Sequence, residues 1–257
     1  MSLDLSPRPG AAAPAAMLRA QVGMELRLLM RNGEQLLLTL VIPLLLLVMG
    51  THSDEVVDLG AGRPIDIVTP GVLALAVMST SFTSLAIATG FERRYGVLKR
   101  LGASPLPRSG LLLGKVGAIL LVEIVQLAVI SVVGVLIGWE PHGGVTAVGW
   151  LALLAVLATA AFGSLALLIA GTLRAEATLA VANLVYVLLL VGGGVLVPLS
   201  RYPEGAQDTL KLLPSGALGQ GLREAFDGAS PGLLPVVVLV VWTVVAGTLT
   251  ARTFKWE

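Results

Sequence analysis

No cysteine occurs anywhere in this chain, and it has only two histidines. The first absence excludes disulfides, thiolate metal sites and cysteine nucleophiles, and leaves the compartment open. The second leaves hydrolytic chemistry without a base. His52 and His142 fall in polar connections, and no apolar run supplies a partner to Ser79, Ser81, Ser84, Ser131 or Ser164. A serine nucleophile needs such a partner within hydrogen-bond reach. No H-E-x-x-H zinc site is present. Charge is scarce as well. Only 13% of the 257 residues are charged, against about 25% in a soluble domain. What is there instead is oil: 56% of residues are hydrophobic and the mean hydropathy is +0.90. The chain reads as an all-α membrane protein before any motif is considered.

An apolar helix needs about 20 residues to cross the hydrocarbon. Six segments approach that length: 36–50, 69–91, 111–138, 148–171, 178–197 and 233–250. The first is short and holds Pro43. Some 35 mixed residues precede it, and Thr51-His52-Ser53-Asp54 is a poor cleavage site, so it does not read as a signal peptide. With six spans, both termini share a side with the second and fourth connections. That side carries thirteen of the seventeen basic residues, six of them (Arg93, Arg94, Lys99, Arg100, Arg108, Lys115) in one short stretch. The other side keeps Arg63, Arg201, Lys211 and Arg223. The positive-inside rule therefore predicts cytoplasmic termini and a cytoplasmic 91–110 connection.

Residues 1–16 are Pro/Ala-rich and are expected to be a disordered tail, with one membrane domain over 17–257. Between Met17 and Glu34, Leu18, Val22, Leu26 and Leu29 recur at helical spacing, which predicts an amphipathic helix on the membrane face. Trp139 and Trp150 are placed as interfacial anchors. The 198–231 segment is too polar to span; its leucines predict two short amphipathic helices broken at Pro214-Ser215-Gly216.

Within the spans, Glu123 and Gln126 stand out. An ionisable group at that depth is costly and is a functional candidate by default. A hydrogen-bonded Glu123/Gln126 pair that merely holds helices together is the alternative. The hydroxyls at Ser79, Thr80, Ser81, Thr83, Ser84 and Thr89 make the second span polar, lining a helix interface or a substrate path. Ser81, Ser84, Glu123, Gln126 and Asn183 are the candidates for such a path. Gly192-Gly193-Gly194 permits close backbone approach or a bend. The stretch Gly110-Leu-Leu-Leu-Gly114-Lys115-Val116 does not qualify as a phosphate-binding loop. Its glycines stand one residue too close, Val follows the lysine, and no strand precedes it. Lys115 reads as an interfacial anchor of the third span.

Charge bias explains the basic stretch but not its pattern: Glu92-Arg93, Gly96, Leu98, Leu101, Ser104-Pro105, with Arg94, Lys99 and Arg100 interspersed. This resembles the E-R-x-x-G-x-L-x-x-L-x-x-[ST]-P run after the second span of ABC-2-type permeases, the membrane subunits of bacterial ABC exporters such as the daunorubicin-type drug exporters. Val97 stands where the family usually has Thr. The N-terminal helix, six spans and the Pro214–Arg223 stretch before the last span fit the family's layout. The resemblance implies that Glu92–Pro105 forms a coupling helix docking on an ABC ATPase, which would carry ATP and Mg while this chain binds no cofactor. It further implies two ATPase copies, a second permease copy or homologue, membrane lipid and no nucleic acid as partners, and a bacterial inner membrane. Substrate export would run by alternating access, with an outer lid around Pro214, Gly216 and Arg223. The cargo would be hydrophobic or amphipathic: a drug, lipid or glycan. A six-helix secondary transporter or channel with Glu123 as its ion site is the alternative reading.

Overall fold

A computed structural model of the chain describes residues 12–51 and 62–255, except the side chains of 34–36, 38 and 108. Among the described residues there is no strand. Helix α1 (Pro14–Arg31) leads into α2 (Gly33–Gly50). A continuous 31-residue rod follows, made of α3 (Pro64–Met78), a π-turn (Ser79–Ser84) and α4 (Leu85–Arg94). After it come α5 (Val97–Leu101), α6 (Arg108–Leu136), α7 (Gly144–Thr172), α8 (Ala175–Gly192), a 3-10 turn at Leu199–Arg201, α9 (Glu204–Leu210), α10 (Pro214–Phe226) and α11 (Leu234–Thr253). Among the described residues five helices are long and apolar enough to cross a membrane: Pro64–Arg94, Ser109–Leu136, Gly144–Thr172, Ala175–Gly192 and Leu234–Thr253. A shorter apolar stretch, Thr39–Gly50 of α2, stands beside these five, and its Pro43 offers no N–H to the helix ladder. The acidic 52–61 stretch, His52 and the residues before 12 lie outside the described part.

The rod is the centre of the molecule. At 1.5 Å per residue it is about 46 Å long, well over the roughly 30 Å hydrocarbon thickness. It touches α2, α6, α7, α8 and α10, and every residue from Val68 to Met78 is buried. Helix α11 lies along α7, and α10 packs on α7, α3 and α11. The outward faces of α6, α8 and α11 are apolar: Ile124, Val125, Leu184, Leu188, Val241 and Val244 are all exposed. Contiguous apolar surface of this kind suits lipid, not water.

Several local expectations change. Helix α1 starts at Pro14, inside the predicted tail, because proline at the first helical turn loses no hydrogen bond. Its buried side is polar, Gln21 and Glu25, whereas Leu28 and Met30 are exposed. Those two polar residues face α6, where Gly114 admits Gln21. Trp139 is no interfacial anchor: it is 3% exposed and packs edge-to-face on Phe226 at 4.8 Å, and Trp150 is packed against the core. The two short helices of the 198–231 segment exist, but Pro214 begins α10 and the break falls before it, at 211–213.

The fifth span ends at Gly192, earlier than predicted. Close approach and bend are both present there. A side chain at Gly193 would collide with Ser215, and Gly194 turns the chain at φ +60°, a left-handed conformation costly for other residues. Arg223 of α10 fixes the bend by donating to the Gly194 carbonyl at 2.8 Å and the Val195 carbonyl at 2.5 Å. Burial draws its guanidinium down to about 10, opposed by Tyr202, so it stays cationic at neutral pH. Gly71 of α3 backs onto the same bend: a Cβ there would press on the Val195 carbonyl and lie 3.0 Å from the Arg223 guanidinium. Gly71→Val is therefore expected to cost about 1–3 kcal/mol through overpacking. A lowered melting temperature in detergent checks this, against Gly149→Ala, which meets open space and should melt no lower.

Candidate functional site at the basic end

The sequence pattern Glu92–Pro105 folds as the end of one helix and a short knuckle. Helix α4 runs through Glu92, Arg93 and Arg94 and stops at Tyr95, which stacks on Phe91 at 6.2 Å. Gly96 then turns the chain at φ +68°. No atom lies within 4 Å of the place a Cβ would take, so within this chain the glycine answers to backbone conformation and not to crowding. The five residues of α5 follow. Leu98 is fully buried beneath them, and Leu106 is buried against Gly110. Lys99, Arg100, Ser104 and Pro105 are exposed, and Leu101 is half-buried. These are the residues the knuckle presents outward.

Glu92 and Arg93 at the start of the motif turn inward, while Arg94 stays exposed. Arg93 donates to the carbonyls of Ala170 at 2.8 Å and Leu173 at 2.6 Å, capping the C-terminal end of α7, where a cation also suits the helix dipole. Arg94 pairs with Glu176 at the start of α8. Glu92 meets Lys115 of α6, whose ammonium straddles both carboxylate oxygens at 2.7 and 2.6 Å and is aligned for a hydrogen bond to the first. The same ammonium lies 3.0 Å from Glu25 of α1, and Gln21 donates to Glu25 at 2.8 Å. Lys115 is 4% exposed, so it is a buried ionic hub and not a snorkelling anchor. Glu92 sits near the end of α4, not at the start of a docking helix. The other members of the hub, Glu25 and Gln21, escaped the sequence reading. Their signal was a polar pair four residues apart on a helix expected to lie on lipid.

Deeper in, Glu123 and Gln126 do not bond to each other. Glu123 is 1% exposed, with Oε2 2.6 Å from the Thr159 hydroxyl of α7. Gln126 accepts from Thr80 at 2.9 Å and donates to the Thr39 carbonyl at 2.5 Å, joining α6 to the π-turn and α2. Ser81, fully buried, donates back to the Val77 carbonyl. Of the five path candidates, two line cavities. Ser84 faces a cavity of about 410 Å³ that also touches Glu25, Glu92, Tyr95 and Lys115. Ser84 and Asn183 line a second of about 530 Å³, with Thr83 and Tyr186. Ser81, Glu123 and Gln126 line neither. Among the described residues no group of three or more His, Asp or Glu could hold a metal ion.

At the opposite end, Pro214 opens α10, Gly216 lies against the Leu210 backbone, and Arg223 holds the bend after α8. The His142 amide donates to the Phe226 carbonyl at 2.9 Å, tying the 138–143 loop to the same helix.

The family model described as ABC-2 type transporter matches residues 16–226, from the first helix to the end of α10. The chain belongs to the ABC-2 type transporter family. It is 25% identical over 236 residues to a protein named as a transport permease, YvfS of Bacillus subtilis (strain 168), covering 88% of this chain and 92% of that one. It is 27% identical over 176 residues to DrrC of Mycobacterium tuberculosis (strain H37Rv), named as a doxorubicin resistance ABC transporter permease protein, covering 67% of this chain and 62% of the relative. The counterpart in strain CDC 1551 matches to the same extent. In this ABC-2 chain the ionic hub joins three elements inside the matched region. Lys115→Met strands two carboxylates in a dry site and is expected to cost about 3–5 kcal/mol. Combining it with Glu25→Gln and Glu92→Gln removes the stranded charges and should recover most of that loss, both read as melting temperatures in detergent.

Proposed function

We propose that this ABC-2 chain is the membrane-spanning permease subunit of an ATP-driven exporter. A separate ABC ATPase docks on the Val97–Pro105 knuckle and supplies ATP and Mg. The observation that carries the reading is the knuckle itself: Lys99, Arg100, Ser104 and Pro105 exposed, on a base anchored through Arg93 to α7 and through Glu92 to α6 and α1. A rigid cationic protrusion suits an acidic cleft on a partner. Movement of the docked ATPases is then delivered to three helices at once. A second copy of the permease, or a homologue, completes the path between two six-helix walls. Two ATPases drive alternating access, and α9 and α10 act as the outer lid. The cargo is hydrophobic or amphipathic and leaves the cytoplasm, across the bacterial inner membrane. Both termini are cytoplasmic, in keeping with the basic asymmetry. Glu123, sealed against Thr159 and lining neither large cavity, offers little to an ion-site reading.

The isolated subunit is expected to hydrolyse no ATP and to copurify with its cognate ATPase. Lys99→Glu combined with Arg100→Glu should cut capture of that ATPase about tenfold or more and abolish substrate-stimulated hydrolysis. The melting temperature should barely move, since both side chains are exposed. Capture at the wild-type level would contradict the docking role. Single cysteines test the sidedness, since the native chain has none. An impermeant thiol reagent on intact cells should label position 142 and spare position 99.

A further inference from the structure

The 410 Å³ cavity between α1, α2, α4 and α6 has two unlike ends. Its body is apolar, walled by Leu29, Leu85, Phe91, Ile119 and Val122. Its head is the ionic hub, where Glu25, Glu92 and Lys115 all reach the lining. The charges there do not balance. One ammonium faces two carboxylates, and Lys115 is the only cation among the described lining residues. The nearby guanidiniums are committed elsewhere, Arg93 to α7 and Arg94 to Glu176. Gln21 donates to Glu25 but adds no charge. One Glu92 oxygen, buried, has no aligned hydrogen-bond donor. A net negative charge on largely buried side chains beside an apolar pocket favours a positive ligand more than the same charge would in solvent.

We propose that this cavity binds a hydrophobic monocation, its charged group against Glu92 and Glu25 and its apolar bulk over Ile119 and Val122. An anion would meet the carboxylates first, and a neutral ligand would leave the excess charge uncompensated. Phe91 and Tyr95 add ring faces and edges at the head end, where a cation gains from the ring quadrupole. Tyr95 and Val97 also flank the Gly96 turn, so an occupant touches the base of the knuckle. The inference deepens the exporter reading, and rests on it for purpose, by naming a substrate class and the side from which it is taken up. Binding itself does not depend on that reading.

The test uses the full-length permease alone in nanodiscs of zwitterionic lipid, titrated with tetraphenylphosphonium and with tetraphenylborate. The two ions match in shape and size and differ in sign, and nanodiscs without protein correct for partitioning. The expected result is saturable binding of the phosphonium only. Glu92→Gln should weaken it about tenfold. Ile119→Trp, which fills the apolar body and leaves every charge in place, should abolish it. Melting temperatures identify variants that fail to fold, and Glu25→Gln gives a second charge variant with the same expected loss. No saturable phosphonium binding by the wild type, a preference for the borate, or affinity unchanged in all folded variants would overturn the proposal. Neither ATPase nor transport enters the measurement. A permease that binds the cation without any ATPase partner would keep this inference and lose the exporter reading, and the reverse outcome would do the opposite.

Discussion

A single buried ammonium holds the basic end together. Lys115 gives up nearly all its hydration, and only the two carboxylates drawn in from α1 and α4 offset that loss. Because each element supplies one charge, none can move away without exposing the others to a dry environment. Helix α1, whose buried residues against α6 are the polar Gln21 and Glu25, is thereby fixed to it. The end of α4 is fixed too, and with it the turn from which the knuckle projects. Arg93 adds a second tether of a different kind, binding carbonyls that helix α7 leaves unpaired at its end.

The polar interior follows the same economy. Ser81 of the rod is satisfied by the helix itself, through Val77, and Thr80 by a single amide on α6, that of Gln126, while the Thr89 hydroxyl is buried without a partner. Those that remain at the edges of the rod, such as Ser84, open onto cavities. Polar groups in a membrane protein thus divide into those that fasten helices and those that meet a path, and position around the rod decides which.

Much of this was legible in the residues. The apolar runs located the helices, the distribution of Lys and Arg separated the two ends, and the Glu92–Pro105 pattern led to the family. What escaped was pairing. That Lys115 faces Glu25, ninety residues away, is a fact of how α1 lies on α6, and no local period encodes it. The second span was expected to begin at Thr69, but its helix runs from Pro64: Arg63 at the cap forms ion pairs with both Asp66 and Glu140 at the rim. Trp139 read as an anchor because tryptophan at a span end usually is one; here Phe226, brought close by α10, covers it. Gly96 was legible as a special position, though for its left-handed backbone, which a motif alone does not reveal.

The π-turn at Ser79–Ser84 makes the rod a shaft with a built-in phase offset. One extra residue in a helical turn advances everything beyond it by about 100° around the axis, which no straight 3.6-residue period would place correctly. The halves on either side of Ser79–Ser84 are therefore keyed to different neighbours, α3 to α10 and α2, α4 to α8 and α7. Removing a single residue from that turn would leave hydropathy and length almost untouched. It would nonetheless swing Glu92 and Arg93 off Lys115 and α7, so the indexing of this one turn sets the angular position of the knuckle.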